Sequence, residues 1–185
     1  MALTPSKMLA LGTIAPDFRL PDVVSGEMRS LDELKSDKAT VVMFICNHCP
    51  YVKHVNPELV KMANEFIPKN VSFIAISSND TEAYPEDRPE KMKEVARQWN
   101  YPFPYLFDES QDIAKAYEAA CTPDFYLFNK DLELVYRGRL DESRPGSEIP
   151  LTGKDLRQAI DDVLKGNQVN EQQLPSLGCN IKWKE

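Results

Sequence analysis

In the run Phe44-Ile45-Cys46-Asn47-His48-Cys49-Pro50-Tyr51-Val52, two thiols stand three residues apart, with an imidazole between them and a proline directly after. Thiols at that spacing either exchange electrons as a dithiol–disulfide couple or bind a soft metal ion. Pro50 suits the first position of a helix, where its missing N–H costs nothing. Cys49 then falls at or beside the N-cap, facing unpaired backbone N–H groups and the positive end of the helix dipole. A thiolate is stabilised in such a place. His48, if protonated, and Lys53 one turn on would add to that field. Cys46 lies at the strand exit, within bridging range if the loop folds back. The expectation is Cys49 as nucleophile and Cys46 as its resolving thiol, with Pro50 and His48 beside the incoming substrate.

A structural zinc site would need two further ligands from His48, His54, Cys121 or Cys179. One CxxC without a second such pair or a paired histidine is half a tetrahedral site, so no metal is expected. Free cysteines also serve as small buried hydrophobes. The helix terminus argues against that for Cys49, whereas for Cys121 and Cys179 the inert reading and an added redox role stay balanced. His54 reads as a solvated side chain on the helix rather than a base.

The elements that must hold these residues alternate along the chain. Residues 40–45 (TVVMFI) are almost wholly apolar, as in a strand buried on both faces. Val52, Val55, Leu59, Met62 and Phe66 form one face of the helix that follows, and Pro57 inside it predicts a kink. Residues 71–77 (VSFIAIS) are a second buried strand. Met92, Val95, Ala96 and Trp99 mark a helix starting near Pro89. A short strand over 103–107 and a short helix over 113–120 come next. Residues 125–128 and 132–136 make a hairpin turned at Asn129-Lys130-Asp131. Thr152-x-x-Asp155 reads as a capping box for a last helix carrying Leu156, Ile160, Val163 and Leu164. The pattern predicts a three-layer α/β sheet of mixed direction, with residues 141–150 and 166 onward as the loosest stretches.

The chain has 185 residues, the usual size of one domain. Its 22 Lys+Arg against 29 Asp+Glu give a net charge of -7, unsuited to binding nucleic acid or anionic lipid. No apolar run approaches the roughly 18 residues of a spanning helix. Residues 8–15 form a short run broken by Gly12, with the single basic Lys7 before it and no clear cleavage site, so they read as folded protein rather than a signal sequence. A cytoplasmic address is therefore expected. Thiols stay reduced there, and four cysteines in such a chain point to redox chemistry or metal before a structural bridge.

These residues resemble the thioredoxin-fold superfamily, and within it the peroxiredoxin-like, redoxin (AhpC/TSA-type) branch. Gly12-Thr13-Ile14-Ala15-Pro16-Asp17-Phe18-Arg19-Leu20 is similar to the G-x-x-A-P-D-F-x-L opening of redoxins. Cys49-Pro50 heads the active-site helix, and Pro57-Glu58-Leu59 follows at the spacing of thioredoxin-like reductases. Thr122-Pro123 matches the Thr–cis-Pro element opposite the active cysteine. In that superfamily the backbone beside the proline pairs with an incoming peptide or disulfide, which makes Thr122 and Pro123 substrate contacts by resemblance. Counted back from Pro57, Cys49 falls on the first thioredoxin cysteine, and Val52 stands where the second would be. Against the peroxiredoxin T-x-x-C, Cys46 takes the threonine position and Cys49 the peroxidatic one. The peroxidase arginine aligns with Pro123 and is missing. The Cys46–Pro50 core (CNHCP), with a G-C-x-I-K-W tail from Gly178 to Trp183, resembles one peroxiredoxin-like subgroup.

The resemblance implies a thioredoxin-like sandwich with a mixed central sheet and a redoxin-type N-terminal extension. It spans residues 1–185 as one domain, with 166–185 as a C-terminal extension. It implies a thiol–disulfide oxidoreductase acting on protein or small-molecule disulfides, re-reduced by a thioredoxin-type or low-molecular-weight thiol donor. No organic cofactor or metal is expected; a homodimer is conceivable because peroxiredoxin relatives often pair. The alternatives are a thiol peroxidase with Cys49 peroxidatic, and a non-catalytic redox-sensing module. Cys121 lies two residues before the proline, near the active-site side. Cys179 could reach another chain or the active site if the tail wraps back.

Overall fold

The computed structural model describes residues 3–185. In chain order, β1 (Leu3–Pro5), β2 (Arg19–Pro21) and β3 (Met28–Ser30) lead into a one-turn helix α1 (Leu31–Leu34). Then come β4 (Ala39–Phe44), α2 (Pro50–Phe66), β5 (Val71–Ser77), α3 (Pro89–Gln98), β6 (Tyr105–Phe107) and α4 (Asp112–Ala116). The last part is β7 (Cys121–Thr122), β8 (Asp124–Asn129), β9 (Leu134–Gly138), α5 (Lys154–Lys165) and β10 (Leu177–Asn180).

The central sheet has strand order β6-β5-β4-β8-β9. β4 runs parallel to β5 and antiparallel to β8, so the direction of the sheet changes beside β4. All six residues of β4 are buried. Because side chains alternate along a strand, Val41 and Met43 pack against α2, α3 and α5, while Val42 and Phe44 meet Tyr117, Ala114 and Leu31 on the other face. Phe44 sits edge-on to Tyr126 at 5.9 Å and tilted against Tyr117 at 5.5 Å. Truncating such a fully buried ring to Ala costs about 3–5 kcal/mol. Helices on both faces of a mixed sheet give the expected three layers.

The element boundaries depart from expectation in several places; β6, expected from 103, starts at Tyr105. Thr152 makes no capping box: the N-cap of α5 is Gly153, at φ 66°. Asp141 accepts the Thr152 and Gly153 N–H groups, and the Leu140 carbonyl accepts those of Asp155 and Leu156. A loop carbonyl thus satisfies the first turn of α5 in place of a local side chain, and Asp141 holds the two residues before the helix. The second hairpin strand starts at Leu134 because Asn129 Oδ1 accepts the N–H groups of Asp131 and Glu133, drawing those residues into the turn. The helix over 113–120 shrinks to α4, since Glu118 takes φ 52° and cannot continue it. α2 runs through Pro57 as one element of 17 residues.

The tail is held in place. β10 lies between β1 and β7 in a separate three-stranded sheet, paired antiparallel with each. Upstream, the Leu174 carbonyl accepts the Arg139 N–H, and Ser176 donates its hydroxyl to the Pro123 carbonyl. No helix among the described residues is long and apolar enough to cross a membrane.

Candidate active site

Cys49 is the N-cap of α2, in extended conformation, with Pro50 at the first helical position. Cys49 is fully buried, and Cys46 and Cys179 are buried beside it. β4 delivers Cys46 from its C-terminal end, and the Cys46 Sγ lies 3.4 Å from the Thr122 hydroxyl. The Thr122 carbonyl oxygen is 3.4 Å from Cys49 Sγ, and the Thr122–Pro123 peptide is cis. From the tail, Cys179 brings its Sγ to 2.7 Å from Cys49 Sγ. Three sulfurs therefore converge on one residue pair, Thr122-Pro123.

Their acidities are driven apart. Cys49 is lowered to about 5, chiefly by the Cys46 thiol donating to it, against the opposing effect of burial. The Cys179 thiol and the backbone N–H groups of Val52 and Cys179 add to the lowering. Cys46 is held well above its ordinary value by that same bond to Cys49, by burial and by the Asp87 charge. Cys179 is pushed up to about 12, first by burial and then by Cys49. Cys49 is thus the most acidic of the three thiols, with Cys46 and Cys179 both driven the other way.

His48 points to a group that sequence reasoning missed. Its Nδ1 lies 2.6 Å from Asp87 Oδ2 and its ring stacks on Tyr84. Asp87 is fully buried and also accepts the Asn47 N–H and the Asn79 side-chain amide, each at 2.8 Å. The Asp87 bond raises His48 above its ordinary value, outweighing burial. Burial pushes Asp87 up, but the bonds from His48, Asn79 and Asn47 prevail and hold it low. The Tyr105 hydroxyl donates to Asn47 Oδ1, so the loop between Cys46 and Cys49 is pinned to β6 and to the turn that carries Asp87. No sequence motif marks Asp87, which sits 39 residues from His48. A cleft of about 590 Å³ opens beside His48, lined also by Asn47, Lys53, Glu86 and Trp99.

Cys46, His48 and Asp87 offer donor atoms within 4.8 Å of one another. Cys46 is already engaged by Thr122, and Asp87 by Asn47, His48 and Asn79, so a metal there would have to displace those bonds. Cys121 stands apart from the sulfur cluster: its thiol donates to the Pro123 carbonyl, and burial and then Asp124 push it up. His54 bonds Ser143 at 2.9 Å rather than reaching the sulfurs.

A family model described as the AhpC/TSA family matches residues 11–137. The crystal structure of a conserved protein from Geobacillus kaustophilus, described as uncharacterized, is similar with TM-score 0.98 and 59% identity, covering 100% of this chain and 97% of that one. The thioredoxin domain of a thiol-disulfide oxidoreductase from Bacteroides vulgatus is similar with TM-score 0.60 and 23% identity, over 74% of this chain and 90% of that one. The fold is thus thioredoxin-like. The thiol-disulfide oxidoreductase ResA of Bacillus thuringiensis subsp. konkukian (strain 97-27) is 23% identical over 162 residues, 88% of this chain and 81% of that protein.

Proposed function

The chain belongs to the AhpC/TSA family, and from that footing we propose that it is a thiol–disulfide oxidoreductase in which Cys49 is the nucleophile and Cys46 the resolving thiol. The observation that carries the reading is the buried Cys49 at the N-cap of α2, with the Cys46 and Cys49 sulfurs both 3.4 Å from Thr122 beside the cis Pro123; the lowering of Cys49 to about 5 agrees with it. Family membership and the similarity to a ResA-type oxidoreductase support the same class of chemistry.

The Cys49 thiolate attacks one sulfur of a substrate disulfide; the Cys49–S–S–R bond forms, the substrate S–S bond breaks, and one thiolate leaves. Cys49 is then neutral, and the charge that kept Cys46 protonated is gone. Cys46 gives its proton to solvent or the departing thiolate and attacks Cys49 Sγ. The mixed disulfide breaks, the second substrate thiolate leaves, and a Cys46–Cys49 disulfide remains. A small thiol or a dithiol protein restores the two thiols, which fits a reducing compartment such as the cytoplasm.

A cysteine at about 5 favours the reduced form. Against an ordinary thiol the gain at pH 7 is roughly 3 kcal/mol, or about 60 mV toward the oxidising side. Cys46 in the threonine position and Pro123 in the arginine position weigh against rapid peroxide chemistry. The test compares wild type with Cys49→Ser in the reduction of oxidised glutathione and in hydrogen peroxide consumption. Loss of disulfide reduction in the variant is expected. Peroxide consumption by the wild type without disulfide reduction would replace this reading with a thiol peroxidase.

A further inference from the structure

The edge of β7 beside Pro123 is the strand edge that, by the family resemblance, an incoming substrate pairs with, and here β10 of the same chain fills it. The register sets Cys179 opposite Thr122 and Asn180 opposite Cys121, antiparallel. An extended peptide adding to that edge would lie as β10 lies. The Cys179 sulfur then stands where a substrate sulfur must stand to be attacked, 2.7 Å from Cys49 Sγ.

Gly178 makes this docking feasible. A Cβ there would lie 2.0 Å from the Thr122 carbonyl oxygen and 2.7 Å from its carbon, both backbone atoms that cannot swing aside. Any other residue would lift β10 off the edge. On its outer side β10 is clamped by β1, with Leu3 opposite Cys179 and Thr4 opposite Gly178. The strand is placed by two ladders, and the cysteine it carries is buried.

We propose that β10 is a tethered substrate mimic and Cys179 a third redox thiol, which captures Cys49 as a Cys49–Cys179 disulfide after the Cys46–Cys49 disulfide has formed. The proposal rests on the oxidoreductase reading above. The step is an isomerisation: Cys179 Sγ attacks Cys49 Sγ, the Cys46–Cys49 bond breaks, the Cys49–Cys179 bond forms, and the proton of Cys179 ends on Cys46. No external oxidant enters it. With Cys49 no longer a thiolate, one of the influences that keeps Cys179 protonated is removed. The product keeps β10 bonded over the edge, closed to a further disulfide substrate until a thiol or dithiol reduces it.

The experiment oxidises wild type, Gly178→Ala, Cys179→Ser and Cys46→Ser with oxidised glutathione, quenches with an alkylating agent, and maps disulfides by mass under non-reducing conditions. Wild type should show Cys49–Cys179 with Cys46 alkylated. Gly178→Ala and Cys179→Ser should both stop at Cys46–Cys49, the second keeping the test sound if the first misfolds. Cys46→Ser should join Cys49 to Cys179 within one chain. Reduced Gly178→Ala should also alkylate at Cys49 at least about tenfold faster, the factor that ~1.4 kcal/mol of opening implies. Wild type holding only Cys46–Cys49, with Cys179 fully alkylated, overturns the capture and leaves the oxidoreductase reading standing. Cys49 in no disulfide in any of the four proteins overturns that reading itself.

Discussion

Replacing Cys46 by Ala removes the strongest of the influences that lower Cys49, and it leaves the helix terminus, Cys179 and the fold's strands in place. A hydrogen bond to a charged acceptor contributes about 1.5–3 kcal/mol, and 1.36 kcal/mol moves a pKa by one. Starting from about 5, the Cys49 midpoint should therefore rise to between about 6 and 7. The direct assay is thiolate ultraviolet absorbance against pH; the second is the alkylation rate of Cys49 followed by mass. The rates carry a signature of their own, because a more basic thiolate is intrinsically more nucleophilic, with a Brønsted slope of about 0.4–0.5. At pH 8 both proteins are mostly thiolate, so the variant should react roughly three- to eightfold faster. Near pH 6 its smaller thiolate fraction cancels that gain, and the curves cross. Below pH 5 the wild type should be the faster protein. Cys46→Ser, which keeps a donor, should recover part of the lowering. A Cys49 midpoint unmoved by Cys46→Ala, or a wild-type midpoint at the ordinary thiol value, would refute the donated-proton account.

Asp124 is fully buried, accepts the Ser6 and Tyr126 hydroxyls, and is raised to about 7 by burial. A carboxyl more basic folded than unfolded costs stability as pH rises from about 4 to that value, so wild type should lose about 2–3 kcal/mol between pH 5 and 8. Asp124→Asn should flatten this part of the profile, measured as urea midpoints at the two pH values; an unchanged slope would show that another group is responsible. Asp87→Asn should lower the His48 midpoint in an NMR titration, because the bond and the charge of Asp87 that raise it are lost and burial is then opposed only by the Cys49 charge. His48, raised when folded, contributes stability present below about pH 6.5 and lost as pH rises through its folded value. Asp87, lowered when folded, contributes stability present above about pH 3.9 and lost as pH falls through its folded value. The stability gap between wild type and Asp87→Asn should be widest between those limits, and a gap independent of pH would contradict the ion pair.

The sequence by itself determined what depends on neighbours along the chain. The apolar run of β4, the three-and-four spacing in α2 and Pro50 directly after Cys49 are short-range patterns, and each specifies its element and the cap locally. Thr122-Pro123 was legible as a short motif, and the structure holds it cis. Only the tertiary structure decided the surroundings of those residues. Cys179 meets Cys49 across 130 residues, Asp87 meets His48 across 39, and the Leu140 carbonyl, not a Thr152 side chain, satisfies the first turn of α5. A segment of two to four residues such as β7 or β10 has too little periodicity to announce itself as a strand. Its pairing is fixed by which backbone edge remains open once the core has closed, and by the absence of a Cβ at Gly178 where two backbones nearly touch. The placing of Cys49 at the helix cap was a local matter, and the Cys179 thiol pressed against it was settled by packing.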